Sequence, residues 1–154
     1  MNAFLKNLCC ISLFPLLSLP LSAQAPGPVA LGAQFGQPTG LSLRIVKPNG
    51  SSLDLLAAWD LDDYLFFNLH FLKEYPLAGA GQFNWFVGPG VFLALRDRGR
   101  RSGNNDTDIG ISGTIGLNVY LDPVEIYLRL SPRLQVIDET NGAIGGGLGF
   151  RYYF

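Results

Sequence analysis

His70 is the one histidine among 154 residues, so acid–base chemistry near neutral pH would fall to it first. Ester hydrolysis would need a serine within hydrogen-bond reach of its imidazole. On an extended strand the next residue on the same face is two positions along, and that residue is Leu72. His70 therefore reads as a polar packing group rather than a base. A second set is Arg44, Arg96, Arg129, Arg133 and Arg151, which share one strand face with Asp54 and Asp60 in the alternations set out below. Such a set can select anions in a pore or lock a filled interior through ion pairs. Asn68, Asn84, Asn118, Tyr120, Tyr127 and Tyr153 share that face and offer oxygens to the surplus guanidinium groups, with Glu125 at its margin. A third set is the run Asp97 to Asp108. Its arginines suit phosphate groups, and its later oxygen-bearing side chains match no complete calcium loop. There is no glycine motif that cradles phosphate. No catalytic residue, metal or cofactor is expected.

The elements that would hold these residues begin after an address segment. Met1–Ala25 has the layout of a secretory signal: Lys6 as its charge, an apolar stretch from Leu8 to Leu21, and small residues at Ser22-Ala23-Gln24-Ala25. Cleavage is expected after Ala23 or Ala25, leaving residues 26–154 as one barrel domain. The stretch is shorter than a membrane-spanning helix needs and contains Pro15 and Pro20. Cys9 and Cys10 both lie inside it, so the remaining chain has no thiol chemistry. Without Lys6, ten basic residues face twelve acidic ones, a net charge of −2. That balance excludes an ordinary nucleic-acid binder.

Beyond the signal, hydrophobicity alternates with a period of two. Eight segments show it: Val29–Gly36, Leu41–Ile45, Leu53–Asp60, Leu65–Phe71, Phe83–Arg96, Ile111–Leu121, Ile126–Val136 and Ile144–Phe154. In the seventh, Ile126, Leu128, Leu130, Pro132, Leu134 and Val136 alternate with Tyr127, Arg129, Ser131, Arg133 and Gln135. The polar face is small, and it is too rich in glycine for a solvated exterior. It suits the narrow interior of an eight-stranded barrel, filled by its own side chains. The apolar face then meets lipid, and closure pairs every backbone group. Composition agrees: 48% apolar, 15% charged, with 19 glycines and 10 prolines. The expected fold is an all-β, eight-stranded, antiparallel, up-and-down transmembrane β-barrel.

With both ends of the barrel periplasmic, Asp97–Asp108 becomes the third outer loop, and Asp122-Pro123 and Lys47–Ser51 become inner turns. Trp59 belongs near the outer interface; Trp85, Tyr152 and Phe154 belong near the inner one. Pro89 and Pro132 each remove a ladder donor, so a bulge or break is expected at each. Gly145, Gly147 and Gly149 read as room for the arginine cluster.

Two stretches carry a resemblance. Leu31-Gly32-Ala33-Gln34-Phe35-Gly36-Gln37-Pro38-Thr39-Gly40-Leu41-Ser42 resembles the first hairpin of a family of small, mostly uncharacterised bacterial outer-membrane β-barrels. Gly145 to Phe154, ending Gly149-Phe150-Arg151-Tyr152-Tyr153-Phe154, resembles the same family, and its terminal aromatic resembles the signal that the barrel-insertion machinery reads in many unrelated outer-membrane barrels. The resemblance implies a fold and a place, the bacterial outer membrane, with phospholipid and lipopolysaccharide as surroundings. It implies no reaction. The function expected is a non-enzymatic structural or surface-interaction barrel. A narrow pore or ligand-binding barrel is the alternative, followed by a lipid-A-modifying enzyme. The extracellular partner is unassigned.

Overall fold

The computed structural model describes residues 27–60, 64–97, 105–136 and 141–154. The signal segment Met1–Ala25 lies outside the described residues. So do positions 98–104, the centre of the expected third outer loop.

Eight strands form: β1 (Val29–Gln37), β2 (Gly40–Val46), β3 (Ser51–Asp60), β4 (Tyr64–Pro76), β5 (Phe83–Asp97), β6 (Asn105–Leu121), β7 (Val124–Gln135) and β8 (Gly142–Tyr153). Each pairs antiparallel with its sequence neighbours, and β8 closes on β1 to complete the barrel. Closure runs through Ala33↔Phe150 and Phe35↔Leu148, and the Phe154 N–H donates to the Val29 carbonyl at 2.9 Å. Both ends of the barrel therefore share one rim. Trp59, paired with Leu65 beside the β3–β4 connection, lies at the other.

Two strands are longer than periodicity indicated. β4 continues past Phe71 to Pro76, and β6 begins at Asn105 rather than Ile111. Apolarity hid the first extension, because Leu72 turns inward and Lys73 outward, reversing the expected chemistry of the faces. The second removes Asp97 and Asn105–Asp108 from the expected loop. Asp97 pairs with Asn105 and Ala94 with Asp108, so these positions of the run are extended ladder.

The prolines interrupt one ladder each. Pro89 pairs with Gly113 on β6, yet the β4–β5 ladder skips from His70↔Gly90 to Lys73↔Val87 without change of register. Pro132 pairs with Ile144 on β8, while the β6–β7 ladder skips from Ser112↔Arg133 to Ile115↔Leu130. A strand residue addresses its N–H to one neighbour, so a missing donor breaks one side and spares the other. In the second gap the Thr114 hydroxyl donates to the Leu130 carbonyl at 3.2 Å.

Burial is inverted relative to a water-soluble barrel. Arg44, Asp54, Glu125 and Arg151 are at most 1% exposed, whereas Leu128, Leu130 and Ile144 are 55%, 58% and 75% exposed. β7 alternates buried and exposed residues from Glu125 to Leu134. Close fit inside depends on glycine. A methyl group at Gly149 would lie 2.3 Å from the Tyr127 ring and at Gly147 2.8 Å from Gln34. At Gly145 it would lie 3.1 Å from Arg133, so of these three glycines only Gly145 makes room for an arginine.

Gly149→Ala should cost about 1–3 kcal/mol through overpacking against Tyr127. Gly142→Ala, where a methyl group meets nothing within 4 Å, should stay within about 0.5 kcal/mol of the parent. Urea unfolding in detergent compares them, and equal midpoints would refute the tight interior fit.

Candidate functional site

The interior holds a linear chain of six alternating charges. In order they are Glu74, Arg44, Glu125, Arg151, Asp54 and Arg129. Arg44 donates through its two terminal nitrogens to Glu74 Oε2 and Glu125 Oε1, each at 2.6 Å, and through Nε to Ser52 Oγ at 3.1 Å. Arg151 reaches Glu125 Oε2 at 3.3 Å, Ser42 Oγ at 2.8 Å, and Asp54 Oδ2. Arg129 donates to Asp54 Oδ1 at 2.7 Å and to Gln34 Oε1. Three cations and three anions thus cancel.

Alternation on single strands places these groups. Glu125, Tyr127 and Arg129 are successive inward residues of β7; Arg151 and Tyr153 are successive inward residues of β8. Arg44 and Asp54 are direct partners across β2 and β3. The Tyr127 ring faces two arginines, with its centre 3.9 Å from the Arg151 guanidinium carbon and 5.3 Å from that of Arg129. Phe86 of β5 faces Arg44 at 5.9 Å. All eight strands therefore contribute, with Gln34 from β1 and Asn118 from β6 completing the set.

Asn118, Tyr120 and Tyr153, expected to accept from arginine, instead donate to carboxylates. Asn118 Nδ2 donates to Glu74 and Glu125, both at 2.8 Å; Tyr120 donates to Glu74 at 2.9 Å and Tyr153 to Glu125 at 2.8 Å. The reason is Glu74. It enters the barrel on the extension of β4 and, with Glu125, makes good the expected shortage of acids. Gln34, Ser42, Ser52 and Ser112 were also not singled out by residue type, although all fall on the inward parity. Asn84 is half-buried on β5 opposite Asn118. Arg96 and Asp60 belong to β5 and β3, but their side chains lie outside the described residues.

Farther from the termini the filling changes character. Ser112 Oγ donates to Asn68 Oδ1 at 2.8 Å and lies 3.2 Å from His70 Nε2. His70 on β4 and Ser112 on β6 meet across Gly90 of β5, where a methyl group would sit 2.4 Å from the imidazole. The histidine thus has a serine neighbour after all, 42 residues away, where no strand periodicity reveals it. Both side chains are buried, His70 at 1% and Ser112 at 9% exposure. Beyond them Leu56, Ala58, Phe66, Phe92 and Ala94 form an apolar cap, with Phe66 and Phe92 stacked at 6.0 Å. Arg133, half-buried, lies over the Phe66 ring at 4.8 Å. A recess opens at each mouth. One, of about 420 Å³, is bordered by Pro38, Thr39, Trp59 and Arg133; the other, of about 880 Å³, by Pro28, Val46, Pro123 and Tyr153. Among the described residues, the charge chain and the apolar cap lie in the interior between them.

The four aromatics expected at membrane interfaces lie toward the two rims of the barrel, Trp59 at one and Trp85, Tyr152 and Phe154 at the other. Trp59 and Phe154 are 56% and 58% exposed at opposite rims. Trp85 stacks on Tyr75 at 4.8 Å, and Tyr152 meets Phe154 edge-on at 5.2 Å.

No known protein family and no curated protein matches the sequence. Solved structures do match in fold. The N-terminal β-barrel domain of Pseudomonas aeruginosa OprF is similar over 84% of this chain and 100% of that one, with a TM-score of 0.64 at 14% identity. Neisserial surface protein A covers 82% of this chain and 93% of its own at 17% identity, with a TM-score of 0.46. Yersinia pestis Ail, solved in a phospholipid bilayer nanodisc, covers 82% and 99% at 14% identity, with a TM-score of 0.41.

Asp54→Asn leaves two buried guanidinium groups without their shared charge and should cost about 3–5 kcal/mol. Glu74→Gln, at a side chain 18% exposed, keeps a hydrogen-bonding amide and should cost about 1–2 kcal/mol. Denaturant midpoints in detergent order the two, and an Asp54→Asn variant as stable as the parent would show that the chain is not cooperative.

Proposed function

We propose that this chain is a bacterial outer-membrane β-barrel with a closed interior, acting as a structural or surface-interaction protein rather than as a pore or an enzyme. The observation that carries the reading is the inverted burial: a neutralised ionic network inside and a continuous wall of exposed Leu, Ile, Val and Phe outside. Apolar surface on that scale marks a lipid interface. Closure satisfies the backbone, as hydrocarbon demands. The OprF barrel supports the same reading through fold alone. On this reading Met1–Ala25 is the export signal, and the aromatic end of β8 is what the insertion machinery reads. Lipopolysaccharide surrounds the Trp59 rim, and the opposite rim faces the periplasm. The side-chain filling argues against conduction, and the burial of His70 and Ser112 argues against lipid hydrolysis.

Cell fractionation with a heat-shift gel tests the placement. The protein should sediment with outer membranes and change mobility on boiling; a soluble, heat-insensitive band would refute it. Planar-bilayer recording should give no steady conductance, and lipid A from expressing cells should keep its mass. Leu128→Arg separates lipid from water on the wall. In a bilayer it should destabilise the barrel by as much as about 2–4 kcal/mol, more the nearer the position lies to the midplane. A neutral effect, as at a solvated surface, would contradict the membrane reading.

A further inference from the structure

Residues 26–154 contain two lysines, Lys47 and Lys73. The topology brings them to the same patch of outer wall. Lys73 pairs across β3–β4 with Ser51, and the Lys47 N–H donates to the Ser51 carbonyl at 2.8 Å. Both side chains are exposed, on the side of the strands opposite the charge chain. The Lys47 ammonium lies over the Phe71 ring at 5.4 Å and the Lys73 ammonium over the Tyr75 ring at 5.7 Å. Tyr75 in turn stacks on Trp85. Phe71, Lys73 and Tyr75 are successive outward residues of β4, so the rings and ammonium groups form one continuous strip. Among the described residues no carboxylate pairs with either lysine. Glu74, between Lys73 and Tyr75 in sequence, is turned inward to Arg44. The described arginine side chains, Arg44, Arg129, Arg133 and Arg151, all belong to the inward face, which leaves these two lysines as the described cations of the outer wall.

We infer that this strip is a binding site for the phosphodiester headgroup of an anionic phospholipid in the periplasmic leaflet. The inference rests on the membrane reading above. A lipid-facing ammonium is tolerated near the interface and penalised at the midplane, which fixes the level of the strip at the headgroups. There the two ammonium groups hold the phosphate, and the Phe71, Tyr75 and Trp85 rings cover the upper acyl chains and glycerol. The site lies at the rim that carries the β2–β3 turn and the ends of the barrel, so the lipid belongs to the leaflet opposite lipopolysaccharide.

Trp59→Phe leaves Trp85 as the sole tryptophan and reporter. The folded variant is placed in phosphatidylcholine vesicles containing acyl-brominated phosphatidylglycerol or, at equal mole fraction, acyl-brominated phosphatidylcholine. Bromine quenches the indole of a neighbouring protein residue. Phosphatidylglycerol should be preferred about fivefold or more, as expected for one to two interfacial cations. The preference should fall to near unity in Lys47→Gln/Lys73→Gln, persist in Lys47→Arg/Lys73→Arg, and weaken with salt. The converse variant, Trp85→Phe with Trp59 retained, should show no preference at the far rim. Equal quenching by both lipids, or a preference unchanged by the glutamine pair, would overturn the site while leaving the membrane barrel standing. No quenching by either lipid would overturn both.

Discussion

Asp54 accepts from two arginines, and that shared carboxylate ties together strands that never touch in the sheet. An eight-stranded barrel has room inside only for its own side chains. Any charge placed there must be met by another charge or by a hydrogen-bonding group, because solvation is lost and an isolated ion costs several kcal/mol. The alternating order of the six groups meets that demand. Each inner member has an opposite charge on both sides, and the two end members also bond Asn118 and Tyr120 at one end and Gln34 at the other, where Nη2 of Arg129 is left without a hydrogen-bond partner. A buried ion pair contributes little net stability compared with a well-packed apolar alternative. What the chain supplies is a single register, since sliding any strand by one residue would turn its charges to the outer wall.

The remaining interior is graded to fit. Glycine stands where a large neighbour crosses the barrel: Gly149 beneath Tyr127, Gly90 between His70 and Ser112. Neutral polar groups follow the ionic layer, and an apolar cap follows them. The grading lets the barrel stay filled without further charges, and it leaves the two prolines as local interruptions that preserve register on both sides.

The two kinds of cation are sorted by chemistry. Among the described residues arginine, with a planar fork and weak hydration, belongs to the inward face, where Arg44, Arg129 and Arg151 each bridge several acceptors. Lysine, a compact and strongly hydrated charge on a flexible stem, occupies the outer wall at Lys47 and Lys73, where it rests on aromatic rings. The same division explains why the carboxylates follow the arginines inward: Glu74 shares a strand with Lys73 but pairs with Arg44 across the barrel.

Alternation in the sequence determined the number of strands, the inward parity of Arg44, Asp54, Arg129 and Arg151, and the outward parity of Leu128 and Leu130. It could do so because a strand repeats every two residues whatever it packs against. The ends of β4 and β6 escaped it, since past Phe71 the two faces of β4 exchange chemistry, with Leu72 inward and Lys73 outward, and the first residues of β6, Asn105 to Asp108, are polar throughout. Tertiary structure alone decided who meets whom. Glu74 completing Arg44, Tyr153 donating to Glu125 rather than accepting from arginine, and Ser112 reaching His70 across Gly90 all depend on the stagger between strands. Stagger is a property of the closed sheet, set by how eight strands share one circumference, and no single strand contains it.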